Sequence, residues 1–125
     1  MGYMRHDSVI VVVNDYALDL PDMPDVAAFR ESLPEKWRGL VVGPAEGVVN
    51  GYLTYAFLPD GSKEGWGESD KGDEYRAAFV DLFSVGYDDK SSPFEVTAIS
   101  HGGDEPDATS ARHVYPTRTL RRRVP

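Results

Sequence analysis

Five consecutive β-branched residues, Val9-Ile10-Val11-Val12-Val13, constrain the fold of this chain more than any other segment. Valine and isoleucine have stiff side chains that pack well on a pleated surface, and an uninterrupted run of them is typical of a strand covered on both faces. The run therefore predicts a strand over residues 8–14 that is buried on both faces at the centre of a sheet.

A first helix is predicted after the polar turn region 14–22. Asp22 is a candidate N-cap, and Asp25 stands in the first turn, where an acid complements the helix dipole. Pro34 disfavours helical geometry at the preceding residue and ends the helix there. The predicted buried stripe consists of Val26, Phe29 and Leu33, and Trp37 is predicted to close the core beyond the helix end.

A second helix is predicted over residues 71–85, capped by Ser69 or Asp70 and closed by Gly86 in a left-handed conformation. Its side chains divide into two sets at helical spacing. The buried stripe is predicted to contain Tyr75, Ala78, Phe79, Leu82 and Phe83, and the outer face Asp73, Glu74, Arg76 and Asp81.

Three more strands complete the pattern: residues 40–42, closed by Gly43-Pro44, then 51–58 and 94–101. Both faces of the 51–58 segment are mostly apolar, which predicts a second inner strand. The order β-α-β-β-α-β predicts a ferredoxin-like plait, an α+β fold with a four-stranded antiparallel sheet and two helices on one face. The second and fourth strands are predicted at its edges.

The length of 125 residues suits one domain with one core. We expect a single α+β domain over residues 1–101 and a polar, flexible tail over 102–125, within which the cluster Arg121–Arg123 solubilises the end. No apolar run reaches the roughly 20 residues of a membrane helix, no secretory signal is evident, and there is no cysteine. These features predict a cytoplasmic protein without a membrane partner.

The net charge of −8 is concentrated in residues 1–101, which contain 18 acidic and 8 basic residues, a net charge of −10. A surface this acidic repels phosphate backbones, so nucleic acid is not an expected partner. The aromatic residues needed to stack bases are also missing from the first predicted strand.

An acidic loop rich in glycine, with a tryptophan between Gly65 and Gly67, precedes the second helix. Tryptophan is enriched in interface hot spots, and a charged rim usually surrounds such an anchor. The alternative is that this indole folds back onto the sheet or the helix. The first reading predicts a surface for a host protein that consists of Lys63, Glu64, Trp66, Glu68, Asp70, Asp73 and Arg76.

No catalytic motif is present, and the chain is predicted not to be an enzyme. His6, His101 and His113 show neither triad nor metal-ligand spacing. Counted from Asp60, the loop places lysine where an EF-hand requires its twelfth-position glutamate, so neither a metal nor another cofactor is expected.

A small-ligand or nucleotide-binding domain is the alternative function. A plait leaves one sheet face open, and aromatic residues on an open face pair with a second copy or hold a ligand. The residues expected to do so are Tyr52, Tyr55 and His6.

The amino-acid sequence of residues 4–83 resembles that of small uncharacterised proteins encoded by phages of actinobacteria. The resemblance implies a phage-encoded accessory protein that acts in the host cytoplasm and binds a host factor, and it assigns no catalytic role. The matching elements are Met4-Arg5-His6-Asp7, Asn50-Gly51-Tyr52, residues 59–66, Ser69-Asp70, Gly72-Asp73, Arg76 and Phe79.

Overall fold

The computed structural model describes residues 5–14, 23–62, 66–89, 91–103 and 109–119. This part of the chain has an α+β architecture with three helices. The helices are α1 (Val26–Ser32), α2 (Glu35–Arg38) and α3 (Gly67–Leu82). The strands are β1 (Arg5–Val13), β2 (Val41–Glu46), β3 (Leu53–Phe57), β4 (Val85–Gly86), β5 (Phe94–Gly102), β6 (Ser110–His113) and β7 (Arg118–Thr119).

The main sheet has five strands in the order β2-β3-β1-β5-β6, and every neighbouring pair in it is antiparallel. The short strands β4 and β7 form a separate parallel pair. The sequence predicted four strands, so β6 is an addition to the predicted sheet.

The strand β1 lies at the centre of the sheet, as predicted, but it is buried on one face only. Val9, Val11 and Val13 are at most 3% exposed, whereas Ile10 between them is 37% exposed. The buried valines share a core with Phe79 of α3. Because the described helices pack against that face alone, the prediction that β1 is covered on both faces is wrong.

The edge strand β2 continues through Gly43-Pro44, where the sequence predicted it to end. Gly43 has a φ of 114°, and the ladder with β3 shifts register between Val42 and Ala45. A Cβ on Gly43 would lie 2.6 Å from the Thr54 carbonyl oxygen, so only glycine fits this close approach. Proline is tolerated here because the strand lies at the edge of the sheet, as predicted.

The helix α1 begins later than the sequence predicted. Its N-cap is Asp25, whose carboxylate accepts a hydrogen bond of 3.0 Å from the Ala28 backbone N–H. Asp22 lies outside the described residues. The helix ends before Pro34, as predicted, and the chain continues into α2, which buries Trp37 in the core.

The helix α3 begins at Gly67 and ends at Leu82, so it starts earlier than the predicted helix and stops sooner. Trp66 occupies the N-cap position, in place of Ser69 or Asp70, and its carbonyl accepts hydrogen bonds from both of their backbone N–H groups. Gly86 belongs to β4 and has no left-handed conformation, so it does not close the helix.

The predicted faces of α3 need two corrections. Phe79 and Phe83 are buried as predicted, and ring contacts join them to each other and to the sheet. Ala78, expected inside, is exposed, whereas Arg76, expected outside, is only 8% exposed. Arginine is buried this way when acidic partners neutralise it, and here they come from three separate segments.

The strand β5 matches the fourth predicted strand, yet it is not an edge. The strand β6 pairs with it from Thr97–His113 to Ser100–Ser110, and β7 pairs with β4. Regular structure therefore extends into residues 110–113 and 118–119, where a tail was predicted. The arginines at 121–123 lie outside the described residues.

Candidate functional site

The N-terminal half of α3 is held to the preceding turn by an ion-pair cluster, here called the arginine clamp, which consists of Asp60, Asp73 and Arg76. The guanidinium donates from one nitrogen to Asp60 at 2.8 Å and from the other to Asp73 at 2.7 Å. A carboxylate oxygen of Asp7 on β1 lies 4.0 Å away. Three segments that are distant in sequence therefore converge on one buried cation.

The electrostatics of the clamp favour both charged forms. Burial alone would raise the pKa of the Asp60 carboxyl, but hydrogen bonds from Ser62 and Arg76 outweigh it and the pKa is lowered. Burial would lower the pKa of Arg76, but the hydrogen bonds to Asp60 and Asp73 reverse the direction, and the pKa is raised. The clamp is a stabilising contact for the turn.

Gly72 makes this clamp sterically possible. A Cβ at this position would lie 2.1 Å from an Asp60 carboxylate oxygen and 3.0 Å from an Arg76 nitrogen. The Asp60 carboxylate therefore lies directly against the helix backbone at Gly72. Any side chain larger than the hydrogen of glycine would occupy the space that this carboxylate fills.

Trp66 lies just outside the clamp at the start of α3, and its side chain is 53% exposed. The indole is therefore not sealed inside the protein. Lys63 and Glu64 of the predicted surface lie outside the described residues. Glu68 is part of an ion pair with Lys36 at 3.2 Å, and Asp70 and Asp73 are exposed.

A cleft of about 300 Å³, here called the tryptophan cleft, separates the Trp66 indole from α2. Trp37 and Leu40 contribute apolar lining on one side, and the turn at Asp60 and Gly61 contributes polar lining. Trp37 packs edge-on against Tyr75 with ring centroids 5.0 Å apart. Within the described residues, its buried indole N–H has no hydrogen-bond partner.

The seven residues predicted to bind a partner therefore fall into three groups. Trp66, Glu68, Asp70 and Asp73 lie together at the N-terminal end of α3, with polar groups accessible to solvent. Arg76 supports this surface from inside, and Lys63 and Glu64 lie outside the described residues. The sequence analysis did not predict that Asp60 and Gly72 take part in the arginine clamp, or that Trp37 lines the tryptophan cleft. It did predict a turn at Pro59-Asp60-Gly61.

The residues expected to hold a small ligand do not form one platform. Tyr55 is buried on the helix-covered face, where it contacts Phe83, and this burial raises its pKa despite the opposing effect of Arg30. Tyr52 precedes β3 and is exposed. His6 instead lies beside His101, with ring centroids 5.3 Å apart.

A second cleft, of about 390 Å³, lies between α3 and β6. It is here called the α3–β6 cleft, and its lining includes Asp7, Arg76, Ser100 and Arg112. The sequence did not predict it, because one wall is formed by residues that were expected to be a tail. The one indication of this cleft in the sequence was Arg112, a basic residue among the mostly short side chains of residues 109–113.

Among the described residues, no group of three or more histidine, cysteine, aspartate or glutamate side chains could hold a metal ion. The helices in that part of the chain are too short or too polar to cross a lipid bilayer. No protein-family model, curated protein or solved structure matches this chain.

Proposed function

We propose that this protein is a non-enzymatic binding protein that contacts another protein through residues 60–74, with Trp66 as the anchor. The observation that carries the proposal is the position of the indole. It is about half exposed at the start of a 16-residue helix, beside a cleft with an apolar wall. A large aromatic side chain with its surface left open to solvent is the residue type that dominates interface energetics.

The arginine clamp supports this proposal by lowering the entropic cost of binding. Ordering a loop at an interface costs free energy, and a segment that is already ordered avoids part of that cost. Arg76 ties Asp60 to α3 at 2.8 Å, and the Ser62 backbone N–H donates to the same carboxylate at 2.7 Å. Both ends of the contact segment are thereby fixed before a partner arrives.

The charge of the segment indicates the chemistry of the partner. Residues 60–74 contain six acidic and two basic residues, a net charge of −4. Asp60 is neutralised within the clamp, but Glu68 and Asp70 stand on the first turn of α3 next to the indole. We infer a basic partner surface with an apolar pocket, and association that slows as salt screens the charges.

The cellular setting is part of the same proposal. The resemblance to proteins of actinobacteriophages suggests a host protein as partner, and the absence of cysteine suits a reducing cytoplasm. The interaction would then take place in the cytoplasm of the host.

The test is capture from an actinobacterial lysate by the wild-type chain, by Trp66→Ala and by Tyr115→Ala. Tyr115 is a matched control because it is another exposed aromatic residue, 67% exposed, on a different segment. We expect a protein retained by wild type and Tyr115→Ala but lost with Trp66→Ala, at melting temperatures within about 2 °C of one another. Equal retention by Trp66→Ala would refute the proposal.

A second candidate function is a ligand- or nucleotide-binding domain that pairs with a second copy through the open sheet face. Ile10, Val42 and Leu58 are 37–40% exposed. On β1, the exposed Ile10 lies between two residues that are buried on the opposite face of the sheet. A sheet face with few charges lets two copies of an acidic chain approach without strong repulsion. The expected result is a dimer by light scattering that Ile10→Lys dissociates.

The control for that experiment is Val48→Lys, since Val48 is fully exposed in the β2–β3 connection. A monomer at all concentrations, together with no thermal shift from any nucleotide, would exclude this candidate.

We also propose that β2, β3, β1 and β5, with α1 and α3 on one face, constitute a ferredoxin-like plait to which β6 is added. The support is the strand order and the antiparallel pairing of these four strands. An experimental structure in which β1 is not between β3 and β5 would contradict it.

A further inference from the structure

The α3–β6 cleft has the construction of a small-molecule site, and it is separate from the tryptophan cleft. Its floor consists of β1, β5 and β6, and α3 forms its wall. Its volume of about 390 Å³ lies within the range of ligand pockets, near the lower end. A ligand of this cleft is therefore small.

The charged groups in the cleft occur in opposite pairs. Arg76 and Asp73 neutralise each other at 2.7 Å. The other pair is Asp7 and Arg112. Asp7 has its described ionic contact only with Arg76, at the long distance of 4.0 Å, and Arg112 has no ion pair with any described residue. One carboxylate and one guanidinium are thus available to a ligand.

The strand register gives the separation of these two groups. Asp7 is opposite Ser100, which is opposite Ser110, whereas Arg112 is opposite Ala98. The two residues are therefore two strands apart and offset by two positions. At about 4.8 Å between strands and 3.4 Å per residue, their Cα atoms are about 12 Å apart. Both residues line the cleft.

The two groups suit a ligand whose ammonium and carboxylate are carried by the same carbon atom. Charge-assisted hydrogen bonds of about 2.8 Å would join the ammonium to Asp7 and the carboxylate to Arg112, and the long side chain of Arg112 can adjust to the distance between them. A simple anion would meet repulsion from Asp7 and Asp73, and a simple cation from Arg76 and Arg112. A zwitterion satisfies both signs.

The remaining lining is mainly aliphatic and selects the rest of the ligand. Its polar members are three serines, Ser8, Ser100 and Ser110, and it contains no aromatic ring and no further charge. The aliphatic residues are Val9, Ala77, Val80, Ala98, Ile99 and Val114. Apolar surface of this kind binds a branched aliphatic group by removing it from water.

We propose that the α3–β6 cleft binds a free amino acid with an aliphatic side chain. Its ammonium group contacts Asp7 and its carboxylate contacts Arg112, while the side chain lies against the aliphatic wall. This site shares no lining residue with the tryptophan cleft, although Asp73 and Arg76 of the predicted partner surface also line it.

The test is calorimetric titration of the full chain with glycine, alanine, valine and leucine. We expect leucine and valine to bind more tightly than glycine, by about three- to fourfold for each added methylene group. 4-Methylpentanoate, which is leucine without the ammonium group, and isoamylamine, which is leucine without the carboxylate, should each bind at least tenfold more weakly than leucine.

Two substitutions test the assigned contacts, and each has a matched control on the same strand pair. Asp7→Asn and Arg112→Gln should each weaken leucine binding at least tenfold. Glu95→Gln on β5 and His113→Gln on β6 replace residues that do not line the cleft, and they should change nothing. Arg112 is exposed, so Arg112→Gln is expected to fold normally.

The proposal is overturned if no aliphatic amino acid binds, or if 4-methylpentanoate and isoamylamine bind as well as leucine. It is also overturned if Arg112→Gln, with an unchanged melting temperature, binds leucine like the wild type. Trp66→Ala should retain leucine binding, so a failed capture experiment and a failed titration are distinguishable.

Discussion

Removal of Asp60 should destabilise this protein far more than removal of Asp73, although both carboxylates bind the same guanidinium. The side chains of Asp60 and Arg76 are 10% and 9% exposed, whereas that of Asp73 is 67% exposed. Breaking a buried pair leaves a charge without compensation, which costs about 3–5 kcal/mol, whereas an exposed pair contributes about 0–1 kcal/mol.

The expected cost of Asp60→Ala is at the lower end of that range. Arg76 keeps its hydrogen bond of 2.7 Å to Asp73 when Asp60 is removed, so its charge is only partly uncompensated. We therefore expect a loss of about 3 kcal/mol in the free energy of unfolding. For a domain of this size that is a fall of about 12 °C in melting temperature. Asp73→Ala should cost less than about 1 kcal/mol.

The assay is urea unfolding followed by circular dichroism, with thermal melts of the same variants. The double variant Asp60→Ala/Arg76→Met removes both charges, and we expect it to be more stable than Asp60→Ala alone because no unpaired charge stays buried. If Asp60→Ala costs no more than Asp73→Ala, or if the double variant is the less stable one, the burial argument is refuted.

The pH dependence of the same variants gives an independent check. The pKa of Asp60 is lowered in the folded state, because hydrogen bonds from Ser62 and Arg76 outweigh the effect of burial. Its stabilisation is therefore present above the unfolded-state pKa of about 3.9 and is lost as the pH falls through the lower folded-state pKa. The stability difference between wild type and Asp60→Ala should be constant above about pH 5 and shrink below pH 4.

Three further pairs of substitutions test the packing, each measured as a change in melting temperature or in the free energy of unfolding. Gly72→Ala should destabilise by about 1–3 kcal/mol because its Cβ would lie 2.1 Å from a carboxylate oxygen of the arginine clamp, whereas Gly67→Ala meets nothing within 4 Å and should be neutral or stabilising. A result in which the two variants behave alike would contradict the close approach. Trp37→Phe should cost less than about 1.5 kcal/mol, since it removes a buried N–H that has no partner among the described residues, and Trp37→Ala should cost about 3–5 kcal/mol. Val11→Ala should cost about 2 kcal/mol and Ile10→Ala less than about 1 kcal/mol, because only the first is fully buried; equal losses would argue for a sheet covered on both faces.

The sequence by itself determined those strands and helix ends that depend only on the preferences of neighbouring residues. The β-branched run at Val9–Val13 produced the central strand, because stiff apolar side chains at consecutive positions have few alternatives. Helical spacing correctly placed Phe79 and Phe83 in the core, and Pro34 ended α1 where backbone sterics require it. For Trp66 the sequence left two alternatives, an outside contact or an indole folded back onto the sheet or the helix, and only the structure showed it to be 53% exposed.

The tertiary structure alone decided which charges are buried and which strand faces are covered. In the sequence, Arg76 belongs to a charged helix face; it is buried because Asp7, Asp60 and Asp73 meet it from three segments. The pairing of β6 with β5 likewise depends on a partner that is ten or more residues away, for which the local sequence carries no periodic signal. The periodicity of a sequence reflects the conformational preferences of neighbouring residues. Charge burial and strand pairing depend instead on contacts between residues that are distant in sequence, and these contacts form only when the chain folds.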